Sequence, residues 1–370
     1  MTSQKKILLF IGKLGGGGAE RVFVEYANGL AGGLVDVHLV VLESGSYETD
    51  LLPSVKLYKL GTRMRKAAFP LYRIVRQVRP NVLLSGLTGA NLLASIVGRL
   101  AGVPEVWVSV HNDLRVDRAV QSASLGRFES LATKIACRLS TQVIAVSEGV
   151  ADYLSEAGHA DKEAISVVYN PIYNDGMCEL AKVELPESIK ALVDPGQPYL
   201  VAAGRLEYQK GFDLLVDAYI RSDLKQQGVH LIILGEGRER AKLSALIESS
   251  GLSSFIHLPG FLNNPYAVFS RAQGFVLSSR WEGFGNVLVE ALACGTPVVA
   301  FDCRSGPVEV IGGAPGCILV SAEDTSSLAK ALVKIVTYNN IGNSAGDRIS
   351  RARRFSREES ANKLIKLIYS

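Results

Sequence analysis

Short apolar runs alternate with segments of helical periodicity along most of the chain. An early pair is Lys6–Ile11, an almost wholly apolar run, and Ala19–Leu30, in which apolar residues recur at helical spacing. Runs that are apolar throughout are typical of strands covered on both faces, and so of a parallel sheet between layers of helices. The alternation of such strands with helices predicts a doubly wound α/β domain.

This pattern occurs twice, on either side of a polar, proline-containing segment that indicates a linker. Further strands are predicted at Val35–Leu42, Val82–Ser85, Val106–Val110 and Gln142–Val146, and then at Tyr199–Ala203, Val229–Leu234, Phe255–Leu258, Gly274–Leu277, Pro297–Phe301 and Gly316–Val320. We therefore predict an N-terminal Rossmann-like domain over 1–172, a linker over 173–198, a C-terminal Rossmann-like domain over 199–354, and a helix within 355–370 that packs back toward the first domain.

Charge is distributed unevenly in a chain whose formal net charge is only +4. No acidic residue occurs between Asp50 and Glu105, whereas this stretch contains nine cations: Lys56, Lys59, Arg63, Arg65, Lys66, Arg73, Arg76, Arg79 and Arg99. A segment of one sign attracts an anionic membrane, a nucleic acid or a pyrophosphate. The alternative is a solvated face that acids elsewhere in the fold balance.

The cysteine positions and the hydropathy of the chain indicate the cellular compartment of the protein. The five cysteines are scattered and form no C-x-x-C pair, so we predict neither a disulfide framework nor a zinc site. The N-terminal apolar run predicts a buried strand rather than a signal peptide. Val82–Leu100, the most apolar long stretch, is interrupted by polar residues and falls short of a membrane span. We expect a cytoplasmic protein, soluble or peripheral.

Glycines 15–18 directly follow the first predicted strand and open the helix behind it. Glycine lets a backbone approach a ligand closely, and a helix N-terminus offers free N–H groups to an anion. No window here has the G-x-G-x-x-G register, and the chain has no G-x-x-x-x-G-K-[ST], which disfavours dinucleotide and P-loop sites. A flexible loop without a ligand is the alternative.

Two further loops, each after a strand of the second half, contain charged residues. Arg205 and Lys210 lie between Gly204 and Gly211, and they could neutralise a diphosphate or could simply be solvated surface cations. Glu282 and Glu290 stand on either side of a Gly-Phe-Gly turn and the start of a helix. Glu290 could accept hydrogen bonds from both hydroxyls of a ribose.

Together these motifs resemble the family 4 glycosyltransferases of the GT-B fold, retaining enzymes related to bacterial lipopolysaccharide, capsule and glycan-assembly transferases. The resemblance covers nearly the whole chain. It is carried by G-G-A-E-R-V at Gly17–Val22, V-Y-N-P ending at Pro171, G-R-x-x-x-x-K-G at Gly204–Gly211, L-G-E-G-R-E-R at Leu234–Arg240, E-x7-E at Glu282 and Glu290, and A-x-A-C-G-T-P-V-V-A at Ala291–Ala300.

The resemblance implies two doubly wound domains that face each other across a cleft, and an enzyme that transfers a sugar from a nucleoside-diphosphate sugar, with UDP favoured. Its implied catalytic residues are His111, Arg205, Lys210 and Glu282. Its implied donor-binding residues are Gly17, Gly18, Gly204, Gly260, Gly283, Phe284, Gly285, Asn286 and Glu290. No D-x-D occurs in the sequence, so we expect no metal ligands and no required divalent cation.

The resemblance also implies a glycan or polyprenyl-linked acceptor, and no nucleic acid. The segment Phe69–Val78 has apolar residues at helical spacing among arginines, which predicts a basic amphipathic helix that could lie on the inner face of the cytoplasmic membrane. The residues expected to face the membrane or acceptor are Arg63, Arg65, Lys66, Arg73 and Arg76; a solvated helix is the alternative.

Three other functions remain as alternatives. A sugar-nucleotide epimerase of the same fold would share the donor but need no acceptor, and E-x7-E disfavours it. An NAD-dependent oxidoreductase would explain the doubly wound pattern but not the failed glycine register. A noncatalytic protein that binds anions or nucleic acid through the basic stretch would leave the motifs of the second half unexplained.

Overall fold

The computed structural model describes residues 4–31, 33–113, 123–194, 196–337 and 344–370. The chain divides into two compact units, of which unit 1 is formed by Met1–Ile172 with Phe355–Ser370, and unit 2 by Tyr173–Arg354. Each unit is a parallel sheet with helices packed against it.

Within the described part of unit 1, seven parallel strands form a sheet in the order β3-β2-β1-β4-β5-β6-β7. The strands are β1 (Lys5–Lys13), β2 (Val35–Glu43), β3 (Lys56–Lys59), β4 (Val82–Gly86), β5 (Glu105–Val110), β6 (Gln142–Ala145) and β7 (Ile165–Val167). The helices between them are α1 (Gly18–Leu30), α2 (Ala68–Val78), α3 (Thr88–Ala101), α4 (Ala123–Leu139) and α5 (Glu148–Glu156).

Apolar periodicity explains how these helices pack. Helix α2 buries Leu71, Val75 and Val78, which lie four and then three residues apart and therefore on one face. That face joins a core with Leu8 and Phe10 of β1, whose alternate residues point to the same side of the sheet. Burial of this kind is the main stabilising contribution to such a layer.

Within the described part of unit 2, six parallel strands form a sheet in the order β10-β9-β8-β11-β12-β13. The strands are β8 (Tyr199–Ala203), β9 (His230–Leu234), β10 (Ile256–Gly260), β11 (Gly274–Leu277), β12 (Val298–Asp302) and β13 (Ile318–Ser321). The helices are α6 (Gly176–Lys182), α7 (Glu187–Lys190), α8 (Phe212–Arg221), α9 (Arg240–Ser249), α10 (Tyr266–Phe269), α11 (Asn286–Ala293), α12 (Pro307–Ile311), α13 (Thr325–Val336) and α14 (Ala345–Arg353).

The final helix, α15 (Arg357–Tyr369), belongs to unit 1, where it packs against α1. Arg357 donates from Nε to a carboxylate oxygen of Glu25 at 2.6 Å, and the Ile172 N–H donates to the Phe355 carbonyl at 2.9 Å. Residues 173–198, the segment predicted as a linker, contain α6 and α7 and fall in unit 2.

Both sheets have a point at which the strand order reverses. In unit 1, β1 lies between β2 and β4; in unit 2, β8 lies between β9 and β11. Ligands of doubly wound sheets bind outside the carboxyl ends of the strands at such a switch point. The loops after β1 and β4 and those after β8 and β11 are therefore the ones most suited to a ligand.

The doubly wound α/β architecture predicted from the sequence is confirmed for both units. All eleven predicted strands form, with bounds within two residues of those expected, and β3 and β7 are additional. These two are short, with half-buried or exposed residues throughout, so neither contains the continuous apolar run by which the others were recognised.

Candidate active site

The loop after β8 is held against the end of β11 by a glycine. Arg205 is exposed, Lys210 ends a 3₁₀ turn, and Gly211 precedes α8 with a φ of +59°. A Cβ on Gly211 would lie 2.1 Å from the carbonyl oxygen of Ser278, so only glycine permits this approach. The close contact places the Lys210 backbone beside the residues that follow β11, where the Ser278 hydroxyl donates to the Lys210 carbonyl at 2.9 Å.

Lys210 and Glu282 meet directly. The Lys210 ammonium lies 2.6 Å from Oε1 of Glu282, and the Ser279 hydroxyl donates to the same oxygen at 2.6 Å. Glu282 is only 6% exposed, so its charge depends on these partners rather than on water. The two charges that the sequence placed in separate motifs therefore form one buried ion pair at the switch point of unit 2.

Arg280 also links the loop after β11 to the loop after β8 and the start of α8. Its guanidinium donates to both carboxylate oxygens of Asp213, at 2.9 and 2.7 Å, and to the Tyr208 carbonyl at 2.8 Å. The guanidinium carbon lies 3.9 Å from the centre of the Tyr208 ring. Burial would raise the pKa of Asp213, but the hydrogen bonds and the charge of Arg280, together with backbone hydrogen bonds, outweigh burial and hold the pKa below its usual value.

Sequence reasoning missed this clamp, although Arg280 lies only two residues before Glu282. Asp213 stands in the first turn of α8, where an acid is also an ordinary partner for the helix dipole. Ser279 has no local signal at all. Only the pairing of β8 with β11 shows that these residues meet.

The loops after β9 and β10 border the same end of the sheet. The Leu206 N–H donates to the Glu236 carbonyl at 2.9 Å, and the Gly235 N–H donates to the Gly260 carbonyl at 2.8 Å. A Cβ on Gly204 would lie 3.4 Å from the aliphatic part of the Lys210 side chain, so the lysine packs directly against this glycine. Gly204, Gly260 and the Lys210–Glu282 pair thus belong to one group of loops.

The Gly-Phe-Gly turn is buried and packs against the loop after β12. Gly283, Phe284 and Gly285 are buried, and α11 begins at Asn286. A Cβ on Gly306, whose φ is +104°, would lie 2.0 Å from the carbonyl oxygen of Phe284. Glu290 is half-buried, one turn of α11 beyond Asn286, so both residues lie on one face of the helix.

The glycine loop of unit 1 differs from its sequence-based interpretation in one respect. Gly17 is the N-cap of α1, and the carboxylate of Glu20 lies 2.3 Å from where a Cβ on Gly17 would be. Glu20 is itself buried, so the chain's own carboxylate lies at the positive end of the helix. An approaching diphosphate would meet this negative charge, and the role of Gly17 and Gly18 stays a prediction.

His111 follows β5, at the same edge of the unit 1 sheet as the glycine loop. Its Nε2 lies 3.1 Å from the Ser109 hydroxyl, and Asn91 donates to the Ser109 carbonyl at 2.8 Å. Burial lowers the pKa of His111 to about 4. The imidazole is therefore neutral near pH 7, and Ser109 holds one of its ring nitrogens.

The five basic residues predicted to face a membrane or acceptor are all exposed. Arg63, Arg65 and Lys66 surround a 3₁₀ turn whose Met64 side chain lies close to Gly89 near the start of α3. They are therefore near the carboxyl edge of the sheet. Arg73 and Arg76 lie farther along α2, and Arg76 donates to the Ala101 carbonyl at the end of α3, at 3.4 Å.

Across the described ranges, no group of three or more His, Cys, Asp or Glu side chains is placed to hold a metal ion. In the same part of the chain, no helix has the length and apolarity needed to cross a bilayer.

Comparisons with known proteins agree with this arrangement. The family model described as "Glycosyltransferase Family 4" matches residues 16–175, and "Glycosyl transferases group 1" matches residues 186–355. The crystal structure of Anabaena Alr3699/HepE in complex with UDP and glucose aligns with a TM-score of 0.80 at 20% identity, over 99% of this chain and 100% of that one.

Two curated relatives are similar over nearly their whole length. The N-acetylgalactosamine-N,N'-diacetylbacillosaminyl-diphospho-undecaprenol 4-alpha-N-acetylgalactosaminyltransferase of Campylobacter jejuni is 27% identical, over 98% of this chain and 99% of the relative. The lipopolysaccharide core biosynthesis glycosyltransferase LpsE of Rhizobium meliloti is 25% identical, over 96% of each.

Fold, loops and relatives together define a glycosyltransferase with the GT-B fold. The chain belongs to glycosyltransferase family 4, as the sequence motifs indicated.

Proposed function

We propose that this enzyme is a retaining hexosyltransferase that moves a sugar from a UDP-linked donor to a hydroxyl of a glycan or polyprenyl-linked glycan. The observation that carries the proposal is the Lys210–Glu282 pair at the switch point of unit 2. Two relatives named for undecaprenol-linked and lipopolysaccharide substrates support the acceptor class, and a structural neighbour with bound UDP supports the donor.

In this proposal the unit 2 loops bind the donor. Arg205 and Lys210 contact the diphosphate, and Glu290 accepts hydrogen bonds from the ribose hydroxyls. Glu282 and the N–H groups from Gly283 to Asn286 contact the sugar ring. Gly204 and Gly260 allow the close approach of the diphosphate and the base, respectively. Gly17 and Gly18 approach the diphosphate from unit 1, and His111 contacts the transferred sugar.

The transfer step would be driven by charge stabilisation. As the bond from the anomeric carbon to the diphosphate oxygen breaks, negative charge builds on the diphosphate, where Lys210 and Arg205 stabilise it. The acceptor hydroxyl forms the new bond on the same face and passes its proton to the departing diphosphate. Two side-chain cations supply this charge without a divalent metal, so we propose a metal-independent reaction.

For the acceptor, we propose contact with an anionic membrane on its cytoplasmic face. The exposed cations Arg63, Arg65, Lys66, Arg73 and Arg76 support this, because cations near an anionic bilayer each contribute about 1 kcal/mol of binding free energy. A polyprenyl-linked acceptor resides at that surface, which would place it near the carboxyl edge of the unit 1 sheet.

Acceptor-dependent release of UDP tests the proposal. A thermal-shift panel of nucleotide sugars first identifies the donor, since a ligand that binds the folded state raises its apparent stability. With that donor, we expect UDP release only when a polyprenyl-linked glycan is added, and none from Glu290→Ala at the same donor concentration. An epimerase would convert the donor without acceptor, a dehydrogenase would respond only to a nicotinamide, and a binding protein would release nothing.

A further inference from the structure

Large apolar side chains are exposed on two neighbouring helices of unit 1. Leu100 of α3 is 73% exposed, and Phe128 and Leu131 of α4 are 63% and 57% exposed. Ile96 and Ile135 are also among the exposed apolar residues. A soluble surface can carry single residues of this kind, but several on adjacent helices mark an interaction surface.

Helical spacing places these residues on one side of each helix. Phe128, Leu131 and Ile135 follow each other at intervals of three and four residues, and the buried residues Ser130, Thr133 and Cys137 have the same intervals on the opposite side of the helix. In α3, Ile96 and Leu100 are four residues apart. Both helices therefore bury one face and present a second apolar face outward.

The two helices that carry these outward faces are neighbours. Helices α3 and α4 pack against each other, and Arg99 of α3 donates to the carbonyl of Leu139, the last residue of α4, at 2.6 Å. We refer to their exposed and half-buried outer residues as the α3–α4 face, which consists of Ile96, Arg99, Leu100, Arg127, Phe128, Leu131, Lys134, Ile135 and Arg138.

Charge on the α3–α4 face has one sign. Four of its nine residues are cations and none is acidic. Helix α3 contains no acidic residue, and within the described part of α4 the one acid, Glu129, lies outside the face as defined. Apolar side chains interspersed with cations fit a surface that is negative outside and apolar beneath.

We propose that the α3–α4 face is a membrane-docking surface that inserts its apolar side chains into the interfacial region of an anionic bilayer. The cations Arg99, Lys134 and Arg138 would face the lipid phosphates. The inference rests on the membrane contact proposed above for α2, which packs against α3, and extends it across three neighbouring helices. It does not depend on which sugar is transferred.

Charge disfavours a second copy of the chain as the occupant. A two-fold interface would bring the same patch of each copy together, so the four cations of one copy would face those of the other. An anionic bilayer instead supplies the opposite charge over the whole face. This charge complementarity favours an anionic lipid surface as the partner of the α3–α4 face.

Flotation with vesicles tests the proposal on the full chain. Vesicles of phosphatidylglycerol and phosphatidylcholine serve as the anionic probe, and vesicles of phosphatidylcholine alone as the neutral one. We expect binding to the anionic vesicles that weakens with added NaCl, because salt screens the attraction. Replacing Phe128, Leu131 and Ile135 together with serine should weaken binding by at least about tenfold, since insertion scales with buried apolar area.

A matched control separates docking from a general loss of apolar surface. Leu34 is exposed in the same unit but lies outside the face, and Leu34→Ser should bind as the unchanged protein does. Because the three replaced side chains are exposed, the triple variant should keep the circular dichroism spectrum and the donor-induced thermal shift of the parent.

Three outcomes would overturn the proposal. Unchanged flotation of the triple variant, with flotation still lost when Arg63, Arg65 and Lys66 become glutamine, would confine membrane contact to the segment before α2. Equal binding to neutral vesicles would remove the role of the cations. A dimer in sedimentation velocity that the triple variant converts to a monomer would assign the face to a second copy. Each result leaves acceptor-dependent UDP release, and so the proposed function, to be judged separately.

Discussion

The loops at the carboxyl ends of the two sheets differ in how their charged side chains are paired. In unit 2, charged side chains cross-link the loops, through Lys210 with Glu282 and Arg280 with Asp213. In unit 1, the corresponding end has a glycine loop, a buried carboxylate at Glu20 and a half-buried, neutral imidazole at His111. The charges of unit 2 are therefore held by partners from other loops, whereas the Glu20 carboxylate lies against the N-terminus of its own helix.

Electrostatics explains why the charged end must be cross-linked. A buried carboxylate such as Glu282 is costly unless cations and hydroxyls surround it, so Lys210 and Ser279 stabilise it before any ligand arrives. Groups fixed in this way need little reorganisation when charge develops on a substrate.

The largest effect is expected when the Lys210 cation is removed from the carboxyl end of the unit 2 sheet. Lys210→Ala removes the cation proposed to stabilise the leaving diphosphate, and transfer should fall by about 100- to 1,000-fold in kcat. Lys242→Ala is the control, because Lys242 is an exposed lysine of the same unit that pairs with Glu239. Steady-state UDP release measures both, and a Lys210→Ala enzyme with full activity would contradict the role proposed for this lysine.

The neutral state of His111 at the unit 1 end can be tested through pH. Burial lowers the pKa of His111 to about 4 from a usual 6.5, so below pH 6.5 the unfolded chain binds a proton that the native state does not. Stability is therefore complete above pH 6.5 and is lost as the pH falls toward 4, by up to about 3 kcal/mol.

The measurement is the free energy of unfolding in urea between pH 4 and 7, for the parent chain and for His111→Gln. Glutamine does not titrate, so the parent should lose more stability than the variant over this interval. Parallel curves would show that folding does not lower the pKa of His111.

Weakening the Arg280 clamp should have a smaller effect. Lysine cannot reproduce the bidentate contact with Asp213 or the stacking on Tyr208, so Arg280→Lys should lower the free energy of unfolding by roughly 1.5–3 kcal/mol. The Michaelis constant for the donor should rise more than kcat falls, since the clamp positions loops and is not proposed to touch the reacting atoms. Arg221→Lys, at an exposed pair with Asp217, should change neither value.

The smallest effect concerns the glycine loop. Glu20→Gln removes a negative charge from the N-terminus of α1 and should lower stability by about 0.3–1 kcal/mol. If Gly17 and Gly18 approach the diphosphate, the same change should tighten UDP binding by roughly two- to fivefold, which is that free energy expressed as affinity. Isothermal calorimetry measures the affinity; weaker or unchanged binding would mean that the diphosphate does not reach this loop.

The pattern of residues predicted the strands and the loops that follow them, but not the side-chain contacts between those loops. Lys6–Ile11 and Tyr199–Ala203 were recognisable because a strand covered on both faces is apolar throughout. The charged motifs were recognisable because they follow such strands. Arg280 and Asp213 are separated by 67 residues in the sequence. Neither local spacing nor residue type shows that their side chains are in contact.

The position of Glu20 shows a second limit. Its sequence neighbours suggested an open helix N-terminus, whereas its side chain turns back over Gly17. Whether a carboxylate points outward or caps its own helix depends on rotamer and burial, which the residue pattern does not encode. The α3–α4 face lay beyond sequence reasoning for a similar reason, because Phe128 and Leu131 would have suited a buried core equally well.

The pairing of Ile172 with Phe355 has a consequence for how such enzymes could be recombined. The chain leaves unit 1 after Ile172 and re-enters it at Phe355, and a backbone hydrogen bond joins these two points. Unit 2 is thus an insertion with neighbouring entry and exit points. On the roles proposed above, exchanging this insertion between relatives would transfer donor preference while the recipient keeps its own acceptor-side surface.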